Sequence, residues 1–498
     1  MTSLRKNTIA NYVGQVYTNL IGIVILPFYL KYLGAEAYGL VGFFAVMQAW
    51  FGLLDMGLSP TLSRQVAHSR SAIDDGKKLL TLLRSVEWLF GILSLIIAAG
   101  VALASNWIAG RWLTVQQLSY DQVAYCIALM GCMIGMRWFN ALYRGVIQGN
   151  EQMVWLNAAN SMLVSFRFIG AYVLLRWVSQ DPSHFFEFQL IISLLELLVL
   201  HRKSYIGLSV PQAVKIGFST DALKSIAPFA GGLAYTSALW ILITQTDKLI
   251  LSHTLSLKEY GYFALVAVVA NGLLSMSTPV SQAILPRLTL LHAQGKIEEL
   301  VQLYCRSTRV VSSIVFPITG ILAVFSHEIL LLWTGDKVAA DWAGPVLRWF
   351  IIGNAILTIA AFQYYLQFAY AKLRLHVVNT TINAFIQIPF LAAAAYWYGA
   401  MGVAYTWFGI RLITFFVFTA VVHRQFLQGL HLKWLFRDVL SVFTTTAVLT
   451  GSGYWLAQQG DIHSAALLWY LPFVTVFTCG INYLLWSKTR VSLLLHNV

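Results

Sequence analysis

Charged residues are scarce in this chain, and their scarcity decides its class. Asp, Glu, Lys and Arg make up 11% of its 498 residues, whereas hydrophobic residues make up 58%. Soluble globular domains carry about 25% charged residues, so this composition excludes an ordinary soluble protein. Many apolar runs exceed ~18 residues, which is the length that predicts a membrane-spanning helix. The sequence therefore predicts an all-α, multi-pass membrane protein.

Cysteines are few, and familiar catalytic motifs are missing. The four cysteines form no CxxC pair, so we expect neither a disulfide framework nor a metal site. The sequence contains no DxD, HExxH, Walker or GxSxG motif, and its predicted loops are too short to house a nucleotide site. We therefore predict a protein that is not an enzyme, has no cofactor and does not hydrolyse ATP.

The net charge of +13 is better explained by membrane topology than by nucleic acid binding. About fourteen predicted spans alternate with short loops, and nearly all loop Lys and Arg residues fall on one side. Since basic loops remain in the cytoplasm, we expect both termini there. The basic residues on the other side are Lys31, Arg111, Lys258 and Lys337.

An internal repeat organises the chain. Tyr38-Gly39 aligns with Tyr260-Gly261, and helix order and loop charge repeat at the same offset. Such a repeat predicts two parallel-related six-helix lobes around a central cavity, and it is more typical of a transporter than of an enzyme. The predicted parts are an N-terminal lobe at 1–203, a cytoplasmic linker at 204–224, a C-terminal lobe at 225–424 and two additional transmembrane helices at 425–498.

Helix-breaking residues interrupt two of the predicted spans, 37–61 and 259–284. In the first, a carboxylate and two helix breakers follow an apolar run, at Asp55, Gly57 and Pro60. Such residues are costly in a membrane helix unless they face water or move. We therefore predict that they form a gating hinge. The counterpart hinge is predicted near Pro279, in the second span, and Pro286, just after it.

Basic residues within the predicted spans indicate a cationic site. Each costs about 2.5–3.5 kcal/mol to insert at mid-membrane, so Arg167 and Arg411 should face a water-filled cavity or an acidic partner. Arg348 lies near an outer end and can snorkel. Bases outnumber acids at this depth, which favours a central site for an anionic substrate. The alternative is that the charges pair internally as structural clamps. The predicted substrate-binding residues are Arg137, Arg167, Lys248 and Arg411.

Acids and amides complete the predicted cavity. Glu196 and Asp247 are candidates for coupling transport to protons or sodium, and the sequence does not choose between these ions. Amides recur at a spacing of four on the first helix and form one polar stripe. Such a stripe either lines a wet cavity or holds helices together. The predicted cavity-lining amides are Asn11, Gln15, Asn19, Gln245 and Asn271.

Three stretches carry a resemblance to a known family: Leu53–Ala67 (LLDMGLSPTLSRQVA), Tyr143–Asn157 (YRGVIQGNEQMVWLN) and Thr246–Val266 (TDKLILSHTLSLKEYGYFALV). Here the chain resembles the bacterial O-antigen-type polysaccharide flippases of the multidrug/oligosaccharidyl-lipid/polysaccharide (MOP) exporter superfamily. The resemblance runs over nearly the full chain. Its motifs mark the polysaccharide branch of that superfamily and do not specify a particular sugar.

The resemblance implies a function in the bacterial inner membrane. It implies that an undecaprenyl-diphosphate-linked oligosaccharide moves from the cytoplasmic to the periplasmic leaflet by alternating access. It also implies a cationic cavity, which corresponds by location to the four basic residues predicted above. The implied partners are the lipid-linked glycan, membrane lipids, and polysaccharide polymerase and chain-length proteins, with no nucleic acid.

Rival functions remain open from the sequence. A peptidoglycan lipid-precursor flippase has the same architecture. A drug antiporter of that architecture needs a net acidic cavity for cationic drugs, whereas bases dominate here. A membrane glycan polymerase or acyltransferase usually needs catalytic acids or histidines on a sizeable outer loop, and the predicted outer loops are very short.

Overall fold

A computed structural model describes residues 2–55, 57–69, 76–206, 218–275, 278–459 and 464–487. Within these ranges the chain is almost entirely helical and has no strand beyond one isolated bridge between Thr114 and Ser256. Nine of the described segments are long and apolar enough to cross a membrane. The prediction of an all-α, multi-pass membrane protein is confirmed. The count of about fourteen spans and the cytoplasmic position of both termini stay predictions.

The described residues pack into two compact units, Met1–Gly261 and Tyr262–Val498. The first unit contains α1 (Thr2–Leu33), α2 (Ala35–Phe51), α3 (Leu58–Ser69), α4 (Gly76–Trp107), α5 (Tyr120–Gly149), α6 (Met153–Trp177), α7 (Pro182–Ile206) and α8 (Thr220–Thr254). Helix α9 (Leu257–Ser275) begins in the first unit. The second contains α10 (Thr278–Ala293), α11 (Ile297–Val324), α12 (Ser326–Thr334), α13 (Lys337–Ala369), α14 (Arg374–Phe426), α15 (Leu430–Trp434), α16 (Ser441–Gln459) and α17 (Ser464–Ser487).

One predicted span is divided into two helices. The span predicted at 37–61 becomes α2, a 3-10 turn at Gly52–Asp55, and α3. Gly57 stands before α3 with φ of 68°, a left-handed conformation that glycine adopts without the steric cost of a Cβ. In the span predicted at 259–284 the described helices are α9 and α10, and residues 276 and 277 lie outside the described residues.

Helix α14 contains a chain reversal that the sequence does predict. The expected spans there are 376–397 and 400–423, with a break between them. In the structure Gly399 has φ of 58° and ψ of −144°, which lies outside helical geometry. The residues on either side then pack against each other, because a Cβ placed on Gly402 would lie 2.4 Å from the carbonyl oxygen of Ala394.

Helix α5 is the central element of the first unit, where it packs against α2, α3, α4, α6 and α7. Its glycines allow this close packing. A GxxxG pair, Gly131 and Gly135, faces α4, and a Cβ on Gly135 would lie 2.9 Å from Ser94 Cβ. On the side of α3, a Cβ on Gly149 would lie 2.6 Å from the Ser63 carbonyl oxygen. Side chains carried by α5 are therefore held in a rigid frame.

Helix α2 crosses the first turn of α9 through a reciprocal glycine contact. A Cβ on Gly39 would lie 2.1 Å from the Leu257 carbonyl oxygen, and one on Gly261 would lie 2.1 Å from the Ala35 carbonyl oxygen. The offset that aligns Gly39 with Gly261 also aligns Ala35 with Leu257. The contact of Gly39 with Leu257 is thus equivalent to the contact of Gly261 with Ala35. An internal repeat produces this kind of symmetric local geometry.

In the second unit, a buried ion pair attaches the segment between α14 and α16 to α11. Asp438, in a π-helical turn at Leu435–Leu440, is 1% exposed. Its Oδ1 accepts a hydrogen bond from Arg309 Nε at 2.8 Å, and Arg437 Nε lies 3.5 Å away. Beside this pair, Trp434 Nε1 donates to Thr308 Oγ1 at 3.2 Å.

Candidate functional site

The first unit brings two of the predicted cations to one place. Arg137 and Arg144 lie two turns apart on α5 and therefore on the same face of that helix. Arg167 projects from α6, and Glu196 projects from α7. Both α6 and α7 pack against α5. We call these four residues the arginine cluster.

Glu196 bridges two guanidinium groups of the cluster. Its Oε1 accepts a hydrogen bond from Arg144 Nη2 at 2.8 Å, and its Oε2 accepts one from Arg167 Nη2 at 2.7 Å. Glu196 is 8% exposed. A carboxylate is costly to bury without a positive partner, so the two arginines account for its position in the membrane-spanning part of α7.

Arg137, on the same face of α5 as Arg144, adds a third guanidinium group to the cluster. Its guanidinium carbon lies 5.9 Å from the centroid of the Phe44 ring, in a cation–π contact. Within the described part of the chain, no partner accepts a hydrogen bond from Arg137 Nε. The cluster thus contains three guanidinium groups and one carboxylate, and it carries an excess of positive charge.

Further polar atoms in and beside the cluster lack hydrogen-bond partners among the described residues. Asn140 lies one turn from Arg137 and one turn from Arg144 on α5, and it is 4% exposed. Neither the nitrogen nor the oxygen of its side-chain amide has a partner among the described residues, and the same holds for Arg167 Nε. Buried polar atoms are normally satisfied by protein, water or a ligand. Two of these atoms, Arg167 Nε and the Asn140 amide nitrogen, are donors and could therefore bind an anion.

A polar track leads from the cluster to α1. Arg144 Nη2 also donates to Asn160 Oδ1 at 2.7 Å, and Asn160 Nδ2 donates to Thr18 Oγ1 at 3.4 Å. On the next turns, Asn157 Nδ2 donates to Asn11 Oδ1 at 2.5 Å. One of the amides predicted on the first helix therefore joins α1 to α6.

The other predicted amides lie apart from these contacts. Gln15 and Asn19 are exposed on α1, and Gln245 is half-buried on α8. Asn271 is exposed on α9, in the second unit. Their role in lining a cavity stays a prediction.

Lys248 pairs with its own neighbour in the sequence. Its Nζ lies 3.2 Å from Asp247 Oδ1 and donates to the Thr244 carbonyl oxygen at 2.6 Å. Asp247 is fully buried. This contact is the internal pairing that the sequence leaves open as an alternative, and it offsets the charge of Lys248.

Arg411 belongs to the second unit and is held there by an aromatic ring. Its guanidinium carbon lies 4.1 Å from the centroid of the Trp407 ring, which is a favourable cation–π distance. Trp407 in turn donates from Nε1 to Asn354 Oδ1 at 3.1 Å. Arg348 donates from Nε to the Ala323 carbonyl oxygen at 3.0 Å, so a backbone group satisfies part of its guanidinium.

The predicted hinge residues cap a helix. Asp55 Oδ1 accepts hydrogen bonds from Ser59 Oγ at 2.6 Å and from Ser59 N at 3.3 Å, in the first turn of α3. Gly57 supplies the left-handed turn before that helix. Pro60, exposed in the same turn, stands where the missing N–H of proline costs little.

Replacing Asp55 by alanine should therefore lower the free energy of unfolding by about 1 kcal/mol, because the first turn of α3 loses its cap. Asp55→Asn retains an acceptor oxygen and should unfold close to the wild-type temperature. Thermal unfolding of the detergent-purified variants measures both. Equal destabilisation by alanine and asparagine would show that the negative charge, rather than the cap, is what α3 requires.

The sequence comparisons agree with this architecture. A family model described as polysaccharide biosynthesis protein matches residues 4–292, which is more than half of the chain. The chain belongs to the polysaccharide biosynthesis protein family. A relative from Shigella flexneri, named "Putative O-antigen transporter", is 21% identical over 448 residues, which cover 89% of this chain and 99% of that protein.

Solved structures of MOP-superfamily transporters share the fold of this polysaccharide biosynthesis protein. The lipid II flippase MurJ in an inward closed conformation is 15% identical, with a TM-score of 0.69 over 96% of this chain and 97% of that one. An inward-facing multidrug resistance MATE family transporter is 13% identical, with a TM-score of 0.68 over 82% and 95%. Family, helices and fold together make the chain a multi-pass protein of the bacterial inner membrane.

Three residues in or beside the arginine cluster are not predicted from the sequence. Arg144, Asn140 and Asn160 are not among the predicted binding residues, although Arg144 stands in the second family-like stretch. The available signal is spacing, since Arg144 lies two turns from Arg137 and shares its helix face. Asn140 and Asn160 give no comparable signal, because an isolated amide in an apolar helix serves equally well as a contact between helices.

Proposed function

We propose that this protein translocates an undecaprenyl-diphosphate-linked oligosaccharide from the cytoplasmic to the periplasmic leaflet of the inner membrane. The observation that carries the proposal is the arginine cluster, in which two guanidinium groups bind one carboxylate and a third, that of Arg137, lies on the same face of α5 as Arg144. Guanidinium groups bind phosphate oxygens through paired, charge-assisted hydrogen bonds. The family and the Shigella flexneri relative support a glycan as the group attached to the diphosphate.

We propose that transport occurs by alternating access. The diphosphate binds at the arginine cluster while the lipid tail remains in the bilayer, and the protein then opens to the other face. Arg411 is proposed to contribute positive charge from the second unit. Asp55, Gly57 and Pro60 are proposed as one hinge, and Asp247 as a site of ion coupling. An inside-negative potential favours outward movement of an anion by ~2.3 kcal/mol per charge per 100 mV.

A second candidate is a flippase for a peptidoglycan lipid precursor. The specific observation in its favour is the TM-score of 0.69 with the lipid II flippase MurJ over nearly the full length of both chains. That substrate would use the same cluster, because the site recognises a diphosphate and not a sugar. A cation antiporter is disfavoured, since a site with excess guanidinium charge repels cationic drugs.

Deletion of the gene tests the choice of glycan. The proposal predicts that one lipid-linked oligosaccharide of a surface polysaccharide accumulates in the inner leaflet, while peptidoglycan synthesis continues. Mass spectrometry of the extracted lipids identifies the accumulated species. Accumulation of a peptidoglycan precursor would favour the second candidate. Incubation of the purified protein with the accumulated lipid should give no covalent product, in contrast to a polymerase or acyltransferase.

Alanine at Arg144 or Arg167 should reduce transport more than about tenfold, because loss of one partner from a buried charged contact costs 2–5 kcal/mol. Surface glycan in the complemented deletion strain is the measurement, with membrane expression checked by immunoblot. Arg176→Ala is the matched control, since Arg176 lies near the end of the same helix as Arg167 and contacts Tyr172 and Tyr32. Wild-type surface glycan in both cluster variants would reject the cationic site.

A further inference from the structure

Glu196 occupies the position of an anion within the arginine cluster. One carboxylate oxygen contacts Arg144 and the other contacts Arg167. A phosphate group bound between two guanidinium groups would make the same pair of contacts. The side chains of Arg144 and Arg167 are 29% and 16% exposed, so a ligand reaching the first unit finds both partly accessible.

We propose that Glu196 is a resident counter-anion, which the diphosphate of the substrate displaces from Arg144 and Arg167. This inference depends on the proposed function. It assigns to Glu196 the role of setting how tightly the substrate is held. Without the carboxylate, two partly buried guanidinium groups would lack a counter-charge in the unloaded protein, which is a costly arrangement.

The energetic consequence follows from competition between two anions. Binding of the diphosphate gains contacts with the guanidinium groups but first breaks those that Glu196 makes, so the net affinity is the difference. A transporter needs its affinity for the substrate to be limited, because a substrate that binds too tightly is not released on the other side. Glu196 then re-forms its contacts as the substrate leaves, and thereby favours release.

The unsatisfied polar atoms of the cluster support displacement rather than permanent closure. With Glu196 in place, Arg137 Nε, Arg167 Nε and the amide nitrogen of Asn140 have no hydrogen-bond partner among the described residues. A carboxylate has two oxygens, and both are used by Arg144 and Arg167. A diphosphate has more acceptor oxygens and reaches further, so it can satisfy donors that Glu196 leaves without partners.

The test is the affinity of the full-length Glu196→Gln variant for inorganic pyrophosphate and farnesyl diphosphate. Calorimetry on protein in nanodiscs should show binding tighter than wild type by on the order of tenfold, because a competing charge has been removed. Stopped-flow measurement should show that the gain lies in slower dissociation. Surface glycan in cells should fall, because tighter binding delays release.

Glu187→Gln is the matched control. Glu187 is on the same helix, near its other end, and its Oε1 accepts a hydrogen bond from the Tyr125 hydroxyl at 2.9 Å. The substitution makes the same change in net charge at a distance from the cluster. We expect pyrophosphate affinity within about twofold of wild type. Nine residues separate Glu187 from Glu196 on the helix, about 14 Å along its axis, which exceeds a Debye length, so the charge change is largely screened at the cluster.

Weaker or unchanged binding by Glu196→Gln would overturn the proposal, since it would show that Glu196 only holds the arginines in position. If this variant does not fold, Glu196→Asp provides the test. Aspartate retains the charge but shortens its reach to the two arginines, so a smaller tightening is expected, and unchanged or weaker binding again overturns the idea. If the wild-type protein binds neither probe, the proposed diphosphate site fails as well. If it binds both and the variants bind no tighter, only the role of Glu196 fails.

Discussion

Replacing Gly39 by alanine is expected to prevent the first unit from folding normally, and Gly261→Ala should have the same effect. Each new Cβ would lie 2.1 Å from a backbone carbonyl oxygen of the partner helix, and backbone cannot rotate away as a side chain can. Overpacking in a rigid contact costs about 1–3 kcal/mol, and more where backbone must move. We expect the free energy of unfolding to fall by an amount near the upper end of this range. The measurements are the unfolding temperature, which should be lower, and size-exclusion chromatography, which should show less monodisperse protein.

Gly272→Ala is the control for this prediction. Gly272 lies on α9, as Gly261 does, but a Cβ there would meet nothing within 4 Å. Alanine in an open helical position should be neutral or stabilise by about 0.4–1 kcal/mol, because the unfolded chain loses freedom. If Gly39→Ala unfolds at the same temperature as Gly272→Ala, the helices separate easily and the crossing is not a rigid contact.

Asp438→Ala should destabilise the second unit by about 3–5 kcal/mol, because it removes the carboxylate from a largely buried arginine. The Arg309 side chain is 11% exposed, and its Nε donates to Asp438 Oδ1 at 2.8 Å. The segment between α14 and α16 should then detach from α11. Limited proteolysis and thermal unfolding of the purified variant measure this, with cleavage expected between α14 and α16.

An exposed ion pair on the same helix provides the comparison. Lys296 and Glu299 are 3.2 Å apart near the start of α11, and both side chains are about half exposed. Glu299→Ala should change the free energy of unfolding by less than ~1 kcal/mol. A second variant, Asp438→Leu with Arg309→Leu, removes the carboxylate and its closest guanidinium group. It should recover much of the lost stability, because the remaining Arg437 side chain is 22% exposed and its charged end can reach water. Failure of the double variant to recover would point to the hydrogen bonds rather than the charges.

A break between two helices is predictable from the sequence when the chain must turn back across the membrane at that point. The reversal at Gly399 is predicted, because two full-length apolar spans need a turn between them. The helix break before α3 is harder to predict, since hydropathy alone does not distinguish a continuous helix from one interrupted by a left-handed glycine. Asp55, Gly57 and Pro60 mark the interruption and predict a hinge there. That Asp55 also caps α3 depends on its contact with Ser59, which the sequence does not show.

The arginine cluster is also only partly predictable from the sequence. Arg137 and Arg167 are conspicuous because a charge within an apolar run is costly. Their partners are not predictable, because one sequence does not show which helices are neighbours, and Glu196 is singled out only as a coupling acid. Arg309 and Arg437 are counted by sequence reasoning as loop charges that set topology, whereas the structure pairs both with Asp438.

The reciprocal contact between Gly39 and Gly261 has an evolutionary consequence. Gly39 meets Leu257 and Gly261 meets Ala35, and the repeat aligns these two pairs with each other. A half-length ancestor that bound a second copy of itself could therefore have formed this contact twice. Duplication and fusion would then preserve that helix contact inside one polypeptide. Each glycine approaches a backbone carbonyl oxygen at the same short distance, so a larger residue at either position would require the partner helix to move.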